Sequence, residues 1–290
     1  MNVRPMAGKG RKAVEMIVDE NSFLENIIGI YNQNKEIAPS AVVGTAKLEG
    51  KEVTIIANDA TKMNPRFPVV YGGIIGLEEG YKMATAVYDT IETDKSSKVK
   101  RPIVLIVDTP GNGPGKVEEI IGMNKSTGSY QLALAEARLK GHPIVAMIIG
   151  RAISGAFLCH GLQADRILSL SADFKTMIHV MPITSIARIT KLDIETLEGL
   201  SKSNPVFASG AHFFYDLGGL EEVINNVDDM RDTIIKHIKD VYQLFENGEN
   251  YKTGPAGRGL LGDERGGRVT RSKVMSTMNA EFRKIESQFL

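Results

Sequence analysis

Apolar positions along the chain follow two rhythms. From residue 41 to residue 180, short β-branched runs alternate with amphipathic stretches of about ten residues. Ala41–Leu48 and Val53–Asn58, separated by Glu-Gly-Lys, predict a β-hairpin. A helix is expected over Leu77–Thr90, then strand Ile103–Val107, helix Gly128–Lys140, strand Ile144–Ile149, helix Gly155–Gln163 and strands Arg166–Leu170 and Thr176–Val180. Strands interleaved with helices imply crossover units and a mostly parallel sheet, an α/β fold. Ahead of this block, residues 1–40 form an N-terminal lead-in with an expected helix over Ser22–Gln33. Beyond Ser185 the helical period takes over, at Ala187–Thr190, Ile194–Leu200, Phe207–Leu217 and Met230–Phe245. These bounds place one main domain at 41–245 and a tail at 246–290. In the tail, Glu246–Gly267 is rich in Gly and charge and predicts a loop, and Arg271–Phe289 predicts a final amphipathic helix suited to a partner.

Two strand ends stand out against this pattern. In VLIVDTPGNGPG (104–115) a buried-type strand runs straight into Pro and Gly, and in VAMIIGRAISGAF (145–157) another strand meets Ser-Gly-Ala and a helix. The first N–H groups of a helix lack partners inside it and sit at its positive end, so small residues there let an anionic oxygen approach the bare backbone. Close helix–sheet packing would account for one such corner, but two on neighbouring strands point to a site.

Composition narrows the chemistry. With 35 basic and 35 acidic residues, the chain has no general pull toward nucleic acid or membranes. No apolar run approaches the length of about 18 residues that a membrane span needs. The single cysteine, Cys159, excludes an internal disulfide framework and fits a cytoplasmic, reducing setting. The P-loop pattern fails, because Val117 follows Gly115-Lys116 and Pro110 occupies the first Gly position. The dinucleotide fingerprint fails at Lys116. Five scattered histidines offer no metal spacing, so no metal is expected. Ser154 lies outside a Gly-x-Ser-x-Gly elbow, being flanked at those positions by Ala152 and Ala156. Arg151, beside the second corner, suits either steering of a carboxylate or an ion pair. Arg188 and Lys191 read as a solvated face.

These residues resemble a known family. VDTPGNGPGKVEEIIG (107–122) is similar to the Asp-x-Pro-Gly…Pro-Gly loop of carboxyltransferases, and IIGRAISGAFLCHGLQADRILSL (148–170) to their second glycine corner. ARITKLDIETLEGLSKSNPVFASG (187–210) and GDERGGR (262–268) resemble the malonate decarboxylase γ subunit, of the carboxyltransferase branch of the crotonase-like superfamily. The resemblance implies a crotonase-like spiral of ββα units with a helical C-terminal part. It also implies a β-subunit partner sharing the active site, and a malonyl thioester carried on the prosthetic group of an acyl-carrier protein. No cofactor is then bound by this chain itself, although in some members biotin on another subunit receives the carboxyl group.

Loss of the carboxyl group leaves an enolate, which preorganised backbone amides stabilise without any nucleophile or metal. On this view the amides of Gly111 and Asn112 from the first corner, and of Gly155 and Ala156 from the second, form an oxyanion hole. Asn112 departs from the large apolar residue common after Pro-Gly in biotin-dependent carboxyltransferases. Three rival readings stand beside this one: a carboxyltransferase half of a biotin-dependent acyl-CoA carboxylase, a non-catalytic scaffold completing a partner's site, and a hydrolase. The last rests on Ser154, His179 and Asp228, which follow the order of the caseinolytic peptidase triad, although that family's corner normally has one more residue between Ser and Gly-Ala.

Overall fold

The structure, a computed structural model, describes residues 4–202 and 210–289. In chain order its elements begin with α1 (Gly10–Ile17), β1 (Leu24–Glu25), β2 (Ile27–Ile28), β3 (Tyr31–Asn32), β4 (Ala41–Leu48), β5 (Lys51–Asn58) and α2 (Leu77–Thr93). The middle comprises β6 (Ile103–Thr109), α3 (Lys116–Ile121), α4 (Met123–Leu139), β7 (Ile144–Ile153), α5 (Ser154–Cys159), β8 (Arg166–Leu170) and β9 (Met177–His179). It closes with α6 (Ile183–Thr190), α7 (Ile194–Ser201), α8 (Ala211–Asp216), β10 (Glu222–Ile224), α9 (Met230–Glu246), α10 (Gly254–Glu264) and α11 (Arg271–Arg283).

The main sheet runs β1-β4-β5-β6-β7-β8-β10. β4 and β5 form the expected hairpin, closed by Glu49 and Gly50 with φ of 50° and 76°, a turn whose twist suits two-residue connections. From β5 to β10 every neighbour is parallel. Its central strands are apolar on both faces because both faces are covered. Ile103, Leu105 and Val107 of β6 join a core under α2, α4 and α5, while Val104 and Ile106 join a second core under α1 and α9. The lead-in therefore contributes to the same body: Ala13, Val14 and Ile17 of α1 are buried in the second core.

Two expectations are corrected. No helix spans Ser22–Gln33; the segment folds into β1, β2 and β3. Leu24, Ile27, Ile28 and Tyr31 mimic a helical stripe, but Asn26 and Gly29 are left-handed, at φ 63° and 57°. The Asn26 amide donates to the Val43 carbonyl at 2.7 Å, so this stretch borders the sheet. Nor is Glu246–Gly267 a loop, because α10 occupies Gly254–Glu264. Two of its glycines face backbone and two face arginine side chains, Gly254 that of Arg138 and Gly259 that of Arg271. A Cβ at Gly257 would stand 2.2 Å from the Lys252 carbonyl oxygen, and one at Gly262 2.4 Å from that of Leu217. Arginines stitch the segment down: Arg258 donates to the carbonyls of Ala164 (2.7 Å) and Leu162 (2.5 Å), Arg265 to that of Leu220 (2.6 Å) and Arg268 to that of Leu217 (2.7 Å).

Smaller shifts follow from local chemistry. The helix expected at Gly155–Gln163 stops at Cys159, and the final helix stops at Arg283 before a 3-10 turn. The expected helix Phe207–Leu217 is present as Ala211–Asp216; its start, and all of 203–210 but Gly210, lie outside the described residues. Among the described residues no helix is long and apolar enough to cross a membrane.

Candidate active site

Both corners sit at the C-terminal ends of adjacent parallel strands, where α/β folds place their ligand sites. β6 ends at Thr109, and Pro110 then carries the chain into Gly111, whose φ of 145° only glycine tolerates readily. The carbonyl of Gly111 accepts from the Ile75 amide at 3.1 Å, and the Gly113 amide donates to the Ile75 carbonyl at 2.9 Å. This parallel bridge between Ile75 and Asn112 turns Asn112's own amide to the opposite side. That amide donates to no described group. The Gly111 amide is directed at Thr109 Oγ1, 3.3 Å away.

β7 is longer than its neighbours: past its pairing with β8, its last residues, Arg151–Ile153, pair with β9 on one side, while Ala152 still faces Thr109 of β6 on the other. The chain then reverses into α5 through Ser154, an exposed residue held left-handed at φ 57°. Such strain in a non-glycine residue costs on the order of 1 kcal/mol or more and clusters at functional sites. The amides of Gly155 and Ala156 precede the first intrahelical bonds of α5 and donate to no described group. The two corners touch: a Cβ on Gly155 would lie 2.7 Å from Asn112 Oδ1, and one on Gly111 would lie 3.9 Å from Ser154 Cβ. All four residues singled out from the sequence are thus brought together; among the described residues the Asn112, Gly155 and Ala156 amides have no acceptor, whereas the Gly111 amide, also expected in the hole, is taken by Thr109.

Beneath the corners lies a network that the sequence did not reveal. Asp108 is buried, and its carboxylate accepts from the Arg151 amide at 2.8 Å, from Arg151 Nε at 2.9 Å, from Arg151 Nη2 at 3.0 Å and from the Gly8 amide at 2.6 Å. Arg151 is therefore ion-paired within the chain. Asn58 Nδ2 donates to the Asp108 carbonyl (2.6 Å) and to that of Gly73 (2.9 Å), two residues before the bridging Ile75. The signal was faint, because these groups are scattered over 8–151 and come together only across strands.

The remaining candidates stay apart from this chemistry. His160 is buried, takes Tyr130 OH at Nδ1 (3.0 Å) and contacts the Ile106 carbonyl through Nε2 (2.9 Å). Burial pushes its imidazole down to about 4, a packing histidine held neutral. Burial likewise drives the Cys159 thiol up to about 12, so it is no nucleophile. His179 lies opposite Ile153 in the β7–β9 ladder, one residue from Ser154. Neither of its ring nitrogens bonds a described residue; Nδ1 is sealed from solvent, and burial lowers its pKa with no carboxylate opposing. Asp228 is exposed on a 3-10 turn and makes no ion pair with His179. The order Ser154, His179, Asp228 therefore does not become a relay.

Known proteins agree with this architecture. Residues 71–282 match the family described as malonate decarboxylase gamma subunit. The chain is 66% identical over 280 residues, covering 96% of each partner, to the malonyl-S-ACP:biotin-protein carboxyltransferase of Malonomonas rubra. It is 26% identical over 196 residues to the acetyl-coenzyme A carboxylase carboxyl transferase subunit alpha of Francisella philomiragia, covering 61% of this chain and 58% of that one. Among solved structures, a chain of a Pseudomonas malonate decarboxylase hetero-tetramer in complex with coenzyme A superposes with a TM-score of 0.77 at 27% identity, covering 94% of this chain and 100% of that chain. Transcarboxylase 12S shares the fold, with a TM-score of 0.64 at 22% identity over 83% of this chain and 43% of that one. The fold is crotonase-like, and the chain belongs to the malonate decarboxylase gamma-subunit family.

Proposed function

We propose that this chain, joined to a β subunit, forms the site in which a malonyl thioester on an acyl-carrier protein gives up its carboxyl group. The observation that carries the reading is the convergence of two glycine corners whose Asn112, Gly155 and Ala156 amides donate to no described group and so suit an oxyanion. When the bond between the α-carbon and the carboxyl group breaks, its electron pair moves onto the thioester oxygen. A donor already aimed at that oxygen needs no reorganisation, and one such donor contributes about 3 kcal/mol to the rate. The carboxylate's own charge becomes the second C=O bond as the group leaves, and the enolate then takes a proton from the ureido N–H of a biotin acceptor or from water, so no serine nucleophile is needed.

The fate of the carboxyl group follows the stronger likeness. The 66% identical relative is named for transfer to a biotin protein, whereas the malonate decarboxylase structures stand at 27–29%. The acceptor proposed here is accordingly biotin on a separate protein, and direct release as CO2 is the alternative. For the β subunit we propose the face running from the second corner into α6. That helix is amphipathic yet buries no residue, leaving Ile189 67% exposed, and Val180, just ahead of it, is 71% exposed.

The test is loss of the carboxyl group from malonyl-carrier thioester by this chain alone, by the mixture with its β subunit, and by the mixture with a biotinylated acceptor. Turnover confined to the mixture and raised by the acceptor supports transfer. Equal turnover without acceptor supports direct decarboxylation. No turnover in any mixture removes the reading.

A further inference from the structure

The two corners belong to different strands, and the ladder between those strands is broken where they meet. Val107 pairs with Ile148, but Thr109 pairs with Ala152, so β7 spends extra residues opposite Asp108. An irregularity of this kind re-aims the strand end that follows it. Left to itself it is a soft joint. Here it is pinned by a single carboxylate: of its four hydrogen bonds with described residues, three come from Arg151, which stands inside the irregular stretch three residues before Ser154. The fit is close, since a Cβ at Gly150 would lie 2.5 Å from Asp108 Oδ1 and 2.8 Å from Ala7 Cα. The first corner is tied to the same residue through its main chain, by way of Asn58, Gly73 and the Ile75 bridge. The fourth donor, the Gly8 amide, comes from the N-terminal segment.

Resting on the reading of the site given above, we infer that Asp108 is a positioning residue: through Arg151 it sets the spacing between the Asn112 amide and the Gly155 and Ala156 amides. A fork of charge-assisted bonds suits this role, because two parallel N–H donors fix direction as well as distance. Asn at position 108 keeps one acceptor oxygen and turns the other position into a donor facing donors. Lys at position 151 keeps the charge and the backbone bond but loses the fork.

The experiment compares the wild-type complex with its β subunit, Asp108→Asn and Arg151→Lys. It measures kcat and KM for malonyl-carrier thioester, thermal midpoint, and co-elution of the two subunits. A displacement of the corners by about 1 Å should lower kcat about a hundredfold in Asp108→Asn, with KM nearly constant, and by less in Arg151→Lys. Adding Arg151→Lys to Asp108→Asn should cost little more, because both act on one joint. Unchanged kcat in a variant with a lowered midpoint would reduce the pair to ordinary structure and overturn the inference; so would a rise in KM alone. Should Asp108→Asn fail to assemble, Arg151→Lys, at a partly exposed side chain, decides by the same criteria. An inactive wild-type complex would count against the proposed reaction instead, which separates the two failures.

Discussion

Ser154 holds a conformation that glycine would hold without strain, and among the described residues no relay stands behind its hydroxyl. Ser154→Gly should therefore raise stability by about 1 kcal/mol, as the left-handed penalty disappears, and retain turnover. A fluorophosphonate probe should leave the wild-type serine unlabelled; labelling, or a collapse of turnover in the glycine variant, would return the hydroxyl to the chemistry. Gly155 predicts the reverse. A methyl group there meets Asn112 Oδ1, so Gly155→Ala should shift the first corner and cost on the order of a hundredfold in kcat while the melting curve changes little. The corners were legible in the sequence because Pro and Gly directly after an unbroken apolar run mark where a buried strand ends and turns. Asp108 and Arg151 were not legible as a pair: an acid and a base 43 positions apart carry no local signature, and only the register between β6 and β7 makes them neighbours.

At the level of elements, the parallel sheet was readable because strands buried on both faces are written as unbroken apolar runs. Helix α10 was not, since four glycines in eleven residues oppose helix formation by about 1 kcal/mol each. Tertiary contact overrides that preference, as the bare face of α10 lies against the backbone at Leu217 and Gly218, where no side chain fits. Gly262→Ala, favourable for an isolated helix, should here destabilise the protein by about 1–3 kcal/mol, measured by chemical denaturation. A neutral or stabilising result would mean that α10 can lift off the body. The segment at 22–33 failed in the opposite sense: its apolar spacing was helical, and two left-handed residues decided otherwise.

Across the whole molecule, α10 also closes a buried polar layer in which Asp165, Glu221 and Arg258 lie beneath the surface. Burial, only partly opposed by Arg138, pushes the Asp165 carboxyl up to about 6. The folded state therefore keeps a proton that the unfolded chain releases near pH 3.9, a typical aspartate value. This group's contribution is complete below about pH 4 and is lost as pH rises through about 6. Buried His160 has the opposite sign, since the folded state refuses a proton that the unfolded chain takes up below about pH 6.5. The two slopes offset each other between pH 4 and 6. Asp165→Asn, able to keep the acceptor for the Ile144 amide, should gain relative to wild type as pH rises across that window, by on the order of 2–3 kcal/mol. Thermal midpoints at pH 4 and pH 7 check it; a constant difference between the proteins would show that Asp165 does not titrate there.

The bond from the Gly8 amide to Asp108 joins residues 100 positions apart, and Arg151 lies 43 further on. A ribosome adding about 5–20 residues per second exposes the first of these partners several seconds before the last. During that interval α1 can find the hairpin of β4 and β5, but the carboxylate that completes the joint has no strand to grip until β7 has emerged. The Gly8 amide thus waits for β6 to bring its acceptor, and the site's final geometry waits for Arg151, the last of the three partners to emerge.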